Sequence, residues 1–296
     1  MKILILGGDG QLGSAFKKIF SDLQDTFIFL SKTQVNIEDF SEAKTLIIDI
    51  SPDVIINCAA YTAVDLAETE VMSANSINNL AMKNISNICY ENSISLVHFS
   101  TDYVFDGYSD RPYKEEDETN PKCIYGKTKL AGEKQIALSN CHYIIIRTSW
   151  IFSEYGKNFL KTIFKLGKNN ETLNIINDQF GCPTYANDIA NAVKKIIYSD
   201  KFKMVSGIYH FAGNTSCSWF DFANYIFSEA RKLGEKTPSK IVPVQTGFFP
   251  IVADRPYLSA LDCKKITKDF DIEASDWKKG VINSLKILIE RDQGSI

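Results

Sequence analysis

Two segments of the chain carry residue types that could move a proton onto or off a substrate. They are HFSTDYVFDG at 98–107 and YGKTKLAGE at 125–133. Tyr125 and Lys129 are four residues apart and would share one face of a helix. A lysine ammonium beside a phenol is expected to lower the pKa of Tyr125 from about 10, and Thr101 could hydrogen-bond a carbonyl oxygen nearby. A lone Tyr-x-x-x-Lys usually belongs to a solvated helix, so the catalytic interpretation depends on what accompanies it.

A glycine-rich turn at the start of the chain accompanies it. The apolar run 3–6 leads into GGDGQLG, and an amphipathic helix is predicted to begin near Gln11. Gly7 and Gly10 would let the backbone approach a pyrophosphate, while Gly13 would let the helix pack against the strand. The first helical N–H groups would face the phosphates. An ordinary glycine bend is the alternative, and Asp9 is expected to face solvent because a carboxylate would repel a pyrophosphate.

Composition limits the classes of function. The 296 residues carry a net charge of −3 and no long basic run, which argues against nucleic acid or an anionic membrane as partner. No apolar stretch approaches the roughly 18 residues of a membrane span, and no signal-peptide pattern follows Met1. Seven scattered cysteines without a Cys-x-x-Cys pair indicate reduced thiols. A cytoplasmic protein is therefore predicted.

Hydrophobic patterning predicts a doubly wound parallel α/β sheet of the Rossmann type. Near-continuous apolar runs, typical of buried parallel strands, occur at 3–6, 26–30, 54–59, 96–100 and 143–148, with helical patterns at 41–50 and 72–91 between them. After Trp150 the alternation loosens and prolines multiply, with helices expected near 218–233 and 277–291. We therefore expect a dinucleotide-binding domain at 1–150, which also takes back a segment near 175–200. Residues 151–296 would form a smaller, irregular substrate domain.

The ordered motifs resemble one family within the extended short-chain dehydrogenase/reductases, the dTDP-4-dehydrorhamnose reductases. The resemblance spans nearly the whole chain. It rests on GGDGQLG at 7–13, NCAAYTAVDLAE at 57–68, STDYVFDG at 100–107, YGKTKLAGE at 125–133, RTSW at 147–150, NDQFGCPT at 177–184 and RP at 255–256.

The resemblance implies a role for each matching position. The catalytic set would be Thr101, Tyr125 and Lys129. The cofactor would contact Gly7, Gly10, Gln11, Leu12, Gly13, Lys32, Asn36, Ile37, Ala59, Ala60, Tyr61, Thr62 and Phe99, together with Tyr125 and Lys129. The substrate, a dTDP-sugar, would contact Thr101, Asp102, Phe105, Trp150, Gln179 and Arg255. A core aromatic remains the alternative for Trp150, and a surface arginine remains the alternative for Arg255.

The same comparison selects a reaction. Related dehydratases place a second carboxylate after the aspartate that follows the threonine, whereas Tyr103 follows Asp102 here, which argues against elimination. The expected reaction is reduction of the C4 keto group of dTDP-4-dehydro-L-rhamnose to dTDP-L-rhamnose, a donor for surface polysaccharide. A reductase or epimerase of another nucleotide-linked 4-keto-6-deoxy sugar, or a non-catalytic regulatory dinucleotide binder, remains open.

A few individual residues predict which cofactor the protein prefers and whether it needs a metal ion. The predicted second strand ends FLSK, so Ser31 and Lys32 stand where NAD-specific proteins usually carry an acid. NADPH is therefore expected, with NADH as an alternative. Some family members use glutamates for a magnesium-bridged dimer, but the aligned positions here are Ala15 and Asn187. We expect no metal, and either a monomer or a metal-independent homodimer.

Overall fold

Strands and helices alternate through the first half of the chain, and the computed structural model describes residues 1–250 and 252–294. The strands are β1 (Lys2–Leu6), β2 (Thr26–Leu30), β3 (Val54–Asn57), β4 (Ser95–Thr101), β5 (Tyr143–Thr148), β6 (Ile151–Phe152), β7 (Thr172–Ile176), β8 (Phe180–Gly181), β9 (Thr184–Tyr185), β10 (Gly207–His210), β11 (Cys217–Ser218) and β12 (Lys240–Val244). The helices are α1 (Gln11–Phe20), α2 (Phe40–Ile50), α3 (Val64–Ala67), α4 (Val71–Asn75), α5 (Ala81–Glu91), α6 (Ile124–Leu138), α7 (Phe159–Asn169), α8 (Ala186–Ile197), α9 (Trp219–Lys232), α10 (Lys264–Phe270) and α11 (Trp277–Asp292).

The central sheet is parallel and is covered on both faces. Its strands lie in the order β2-β1-β3-β4-β5-β10. Apolar side chains of α1 and α8 cover one face, and those of α2 and α5 cover the other. Burial on both faces explains the continuous apolar runs of the strands. The predicted fold class is confirmed, although β3 ends at Asn57 rather than at residue 59.

The helix predicted at 72–91 contains a π-helical turn over Ser76–Leu80, between α4 and α5. The Asn78 side chain there accepts a bond from the Tyr61 N–H at 2.9 Å and donates to the Tyr61 carbonyl at 3.1 Å. It also donates to the Thr128 hydroxyl at 3.2 Å. Hydrogen bonds thus connect the π-helical turn to α6 and to the segment after β3. Turns of this type are often found at functional sites.

A second lobe is built from α7, α9, α11 and short strand pairs. Strand β7 pairs in parallel with β12, and β8 pairs in antiparallel fashion with β11. Helix α9 begins with a capping box, in which Ser218 and Asp221 each bond the other's backbone N–H. Aromatic side chains of α7, α9 and α11 pack together in the core of this lobe. This lobe supplies one wall of the candidate site.

In the described part of the chain, we find no helix with the length and apolar character needed to cross a membrane.

The contact between α6 and the π-helical turn generates a stability prediction. A Cβ added at Gly132 would lie 2.1 Å from the carbonyl oxygen of Asn78, a backbone atom that cannot rotate away. We expect Gly132→Ala to lower the free energy of unfolding by about 1–3 kcal/mol, measured by denaturant titration. Gly247→Ala is the control, because an added Cβ there meets nothing within 4 Å. Equal stability of the two variants would contradict this packing.

Candidate active site

The glycine turn joins β1 to α1 through close backbone contacts. Gly7 has a φ of +76°, and a Cβ there would lie 2.8 Å from the Ala59 nitrogen. A Cβ at Gly13 would lie 2.4 Å from the Gly7 carbonyl oxygen. No side chain caps the N-terminus of α1 at Gly10, so its first N–H groups are available to an anion. Asp9 is exposed and pairs with Lys17 at 2.8 Å, and so faces solvent as predicted.

A cavity of about 550 Å³ opens beside this turn. Nine residues predicted to contact the cofactor line it: Gly7, Gly10, Lys32, Asn36, Ile37, Ala59, Ala60, Tyr61 and Thr62. Its position at the carboxyl ends of β1, β2 and β3 is where open parallel sheets bind nucleotides. The glycine turn has no room for an added Cβ at Gly7 or Gly13, and the N-terminus of α1 is uncapped. Both features fit the binding of a dinucleotide.

The predicted catalytic residues are brought together by β4 and α6. Thr101 ends β4, and its hydroxyl donates to Asp102 Oδ1 at 3.0 Å. Tyr125 and Lys129 lie on α6, and the Tyr125 hydroxyl lies near Thr101. The Lys129 side chain is 2 % exposed, and its Nζ donates to the Phe99 carbonyl at 2.6 Å. The phenol and the threonine hydroxyl thus lie together, whereas the lysine amine on the same helix bonds to strand β4.

The acidity of Tyr125 differs from the expectation. Burial raises the pKa of Tyr125, the hydrogen bond with Thr101 opposes that rise, and the nearby Asp102 carboxylate adds to it. The Lys129 amine does not offset the burial because it bonds to strand β4 instead. Burial also lowers the pKa of Lys129 to about 8 and raises that of Asp102 to about 6. The expected lowering of the Tyr125 pKa is therefore wrong, because burial dominates and the phenol keeps its proton at neutral pH.

A second cavity of about 530 Å³ lies against the second lobe. Gln179 and Arg255, both predicted to contact substrate, line it. Arg255 Nη2 pairs with Asp65 Oδ2 at 2.7 Å and lies near the phenol of Tyr103, whose ring lies against Tyr125 at a centroid distance of 5.7 Å. The arginine thereby connects this cavity to the catalytic group.

Two predicted ligand contacts occupy other places, the substrate contact Phe105 and the cofactor contact Phe99. The Phe105 ring is 1 % exposed and stacks on Tyr113 at 4.2 Å, with the Arg147 guanidinium 5.1 Å from its centroid. It therefore packs in the interior and lines neither cavity. The Phe99 ring likewise packs in the core against Phe16, so only its carbonyl reaches the site, through Lys129.

Trp150 stacks face to face on Trp219, with centroids 3.4 Å apart and planes at 3°. Trp219 is the member of the pair that lines the second cavity, where its indole N–H donates to Gln179 at 3.2 Å. Sequence reasoning missed Trp219. The signal available was an aromatic residue immediately after the Ser218 cap, but nothing in the spacing links it to Trp150.

Among the described residues, no group of three or more His, Cys, Asp or Glu side chains could hold a metal ion. Ala15 is fully buried in the core formed by α1 and α8. Asn187 donates to the Tyr185 hydroxyl at 2.6 Å and to Glu154 at 3.3 Å. Neither position presents a carboxylate.

The parallel sheet, the glycine turn and the Thr–Tyr–Lys group together define the class of short-chain dehydrogenase/reductases. The model of the family described as "RmlD substrate binding domain" matches residues 1–289. A dTDP-4-dehydrorhamnose reductase of Aggregatibacter actinomycetemcomitans is 41 % identical over 95 % of this chain and 97 % of its own. The chain therefore belongs to the dTDP-4-dehydrorhamnose reductase family, which confirms the resemblance.

Solved structures agree with this assignment. A dTDP-4-dehydrorhamnose reductase of Clostridium acetobutylicum is 36 % identical and superposes with a TM-score of 0.90, over 98 % of this chain and 100 % of that one. Another, of Bacillus anthracis, was solved in complex with NADP. It is 34 % identical with a TM-score of 0.88, over 97 % and 99 % of the two chains.

The exposed Lys32 at the rim of the first cavity generates a prediction on cofactor choice. We expect the protein to prefer NADPH to NADH, because the ammonium can pair with a 2′-phosphate. Lys32→Ala should raise the KM for NADPH by up to roughly fivefold, the value of a surface ion pair of about 1 kcal/mol, and leave that for NADH unchanged. Steady-state kinetics with both cofactors measure this. Lys44→Ala, which removes an exposed lysine of α2 outside the cavity, is the control, and a strong wild-type preference for NADH would contradict the role of Lys32.

Proposed function

We propose that the protein reduces the C4 keto group of dTDP-4-dehydro-L-rhamnose, giving dTDP-L-rhamnose, with NADPH as hydride donor. The geometry that carries the proposal is the placement of the Tyr125 phenol near Thr101 at the carboxyl end of β4, with Lys129 one helical turn further along α6. A bound reduced nicotinamide supplies hydride to the carbonyl carbon. Tyr125 then gives its hydroxyl proton to the developing alkoxide.

The electrostatics of the described residues support proton donation. A phenol whose pKa is raised by burial stays protonated at neutral pH, and reduction consumes that proton. Lys129, one helical turn on, would hold the ribose hydroxyls of the cofactor and stabilise the phenolate left after transfer. Thr101 would hydrogen-bond the substrate oxygen. Tyr103 follows Asp102, so no second carboxylate is present there for elimination at the sugar ring.

The second cavity supports binding of a nucleotide-linked sugar. Arg255 presents a guanidinium suited to a diphosphate, and Asp65 would share it. Trp219 and the apolar side chains around it offer a face for a base or a sugar. We assign dTDP as the nucleotide because the related reductases are named for it.

The remaining assignments follow the same interpretation. Residues 1–150 with the returning segment near 175–200 would bind the cofactor, and the rest of 151–296 would bind the substrate. The free state of all seven cysteines is compatible with a cytoplasmic site of action. The partners would be the dTDP-sugar and, in a homodimer, a second copy held without metal; nucleic acid and membrane are not expected.

The direct test is loss of nicotinamide absorbance when purified protein, NADPH and dTDP-4-dehydro-L-rhamnose are mixed, with the product identified by mass spectrometry and NMR. Formation of dTDP-L-rhamnose is expected. Tight cofactor binding without turnover of any 4-keto nucleotide sugar would instead favour a regulatory binding protein. Turnover only with another nucleotide or sugar would show that the protein is a reductase of a different nucleotide-linked sugar.

Replacement of the proton donor should abolish most of the turnover. We expect Tyr125→Phe to lower kcat by about 10²–10⁴-fold, the usual value of general acid catalysis, with the Kd for NADPH little changed. Stopped-flow turnover and fluorescence titration of NADPH measure the two quantities. Tyr90→Phe, which removes an exposed phenol on α5, should keep the wild-type rate. A Tyr125→Phe variant close to the wild-type rate would remove Tyr125 from the mechanism.

Chelation should change neither activity nor assembly. Because Ala15 and Asn187 present no carboxylate, excess EDTA is expected to leave the rate and the light-scattering mass unchanged. Loss of activity, or dissociation of a dimer, that magnesium reverses would contradict this expectation.

A further inference from the structure

The Lys129 amine lies between two groups of strand β4. Its Nζ is 2.6 Å from the Phe99 carbonyl oxygen and 3.1 Å from His98 Nε2. The imidazole of His98 is 1 % exposed, so no solvent competes for its nitrogens. Because Nε2 is either a donor or an acceptor, the charge that the amine can carry depends on the tautomer of His98.

Asn57, at the end of β3, restricts that tautomer. Its Oδ1 accepts the Ala59 N–H at 3.1 Å, which fixes the orientation of the amide. Its Nδ2 therefore faces the other way, 3.1 Å from Met82 Sδ and 3.1 Å from His98 Nδ1. Both of these neighbours can accept a hydrogen from the amide nitrogen. Reversal of the amide would leave the Ala59 N–H against an NH₂ group.

We propose that Asn57 and His98 are positioning residues for Lys129, in which Asn57 selects the imidazole tautomer that points Nε2–H at the lysine Nζ. With Nδ1 accepting from Asn57, a neutral imidazole carries its hydrogen on Nε2. That hydrogen makes a favourable bond only while Nζ has a lone pair. The pair thus holds the amine in place and opposes its charged form.

The other groups around the amine are consistent with this balance. Burial and the neighbouring Lys129 charge both lower the pKa of His98, so the imidazole is neutral. Burial lowers the pKa of Lys129 to about 8, and Glu133, one turn along α6, opposes that shift. Glu133 is itself neutralised by the buried Arg147 of β5 at 2.7 Å. The other titratable groups of the site are Tyr125, one turn earlier on α6, and Asp102, which is bonded to Thr101.

The inference rests on the proposed role of Lys129, and its direction in pH follows from the sign of the shift. A lysine with a lowered pKa is charged below that pKa and loses its charge as pH rises through it. If the ammonium holds ribose and stabilises phenolate, kcat/KM falls on the alkaline side, beginning near pH 8. Removal of Nε2–H should move this alkaline limb to higher pH.

The tautomer can be measured directly in the wild-type protein, without any variant. The chain has three histidines, so the long-range ¹H–¹⁵N spectrum of the cofactor-free protein is simple to assign. At an alkaline pH, where the Lys129 amine is uncharged, we expect the His98 ring to be protonated at Nε2 and bare at Nδ1. Protonation at Nδ1 would overturn the proposal whatever the protein's activity.

The kinetic test uses His98→Asn, whose shorter amide can still face Asn57 but cannot reach Nζ. We expect the alkaline limb of kcat/KM to move upward by about one pH unit, since loss of an opposing donor is worth about that much. His210→Asn is the matched control, because His210 is equally buried but bonds the Tyr113 carbonyl instead of Lys129. If His98→Asn does not fold, His98→Gln, whose Oε1 can accept from the ammonium, should give the same upward shift.

The failures can be told apart. A uniform loss of rate at every pH in the folded His98 variant, with the limb unmoved, would reduce His98 to a packing residue and overturn the inference. Lys129→Met tests the proposed function separately: full turnover in that variant would remove Lys129 from the mechanism. The NMR result stands independently of both.

Discussion

Burial of the Lys129 amine is the constraint on which the rest of the site depends. An amine enclosed by protein loses its hydration, and it is kept there only if polar groups replace the water. Strand β4 supplies them, in the Phe99 carbonyl and the His98 ring. Helix α6 must therefore lie close to β4, and this proximity also puts Tyr125 beside Thr101. One buried side chain thus fixes the register of helix and strand that assembles the proposed proton donor.

Helix α6 is held by side chains from two other segments, the π-helical turn and the turn after β4. On the side of the first cavity, Asn78 joins the Tyr61 backbone to the Thr128 hydroxyl. On the side of the second, Tyr103 packs on Tyr125 and contacts Arg255. Asn78 makes hydrogen bonds, and Tyr103 makes an edge-on ring contact. Residues that line the two cavities, Tyr61 and Arg255, are thus each linked to helix α6 through one intermediate side chain.

Local pattern was sufficient for the five predicted strands and for the glycine turn, because strand burial and such a turn are encoded over a few neighbouring positions. In the first cavity, Gly7, Gly10 and Lys32 followed from local pattern, whereas the residues of the AAYT run were expected only from the family resemblance. Features set by distant pairs were not predictable. The π-helical turn is tied to Tyr61 and Thr128, and the Trp150 stack needs Trp219. The pKa of Tyr125 was predicted wrongly for the same reason. Helical spacing does not reveal that the His98 ring and the Phe99 carbonyl of β4 bind the Lys129 amine.

The hydrogen bonds of Thr101 determine whether Thr101 or Tyr125 can more easily donate a hydrogen to a substrate oxygen. Its hydroxyl hydrogen is given to the Asp102 carboxylate, and its oxygen accepts the Tyr103 N–H at 3.2 Å. Burial raises the pKa of Asp102 to about 6, so at neutral pH the carboxylate is mostly ionised and retains that hydrogen. Thr101 can donate to a substrate oxygen only by leaving a charged acceptor, which costs more than leaving a neutral one. In the proposed reaction, Tyr125, whose raised pKa keeps its own hydrogen available, would therefore meet the developing negative charge first, and Thr101 would follow only as its hydrogen leaves Asp102.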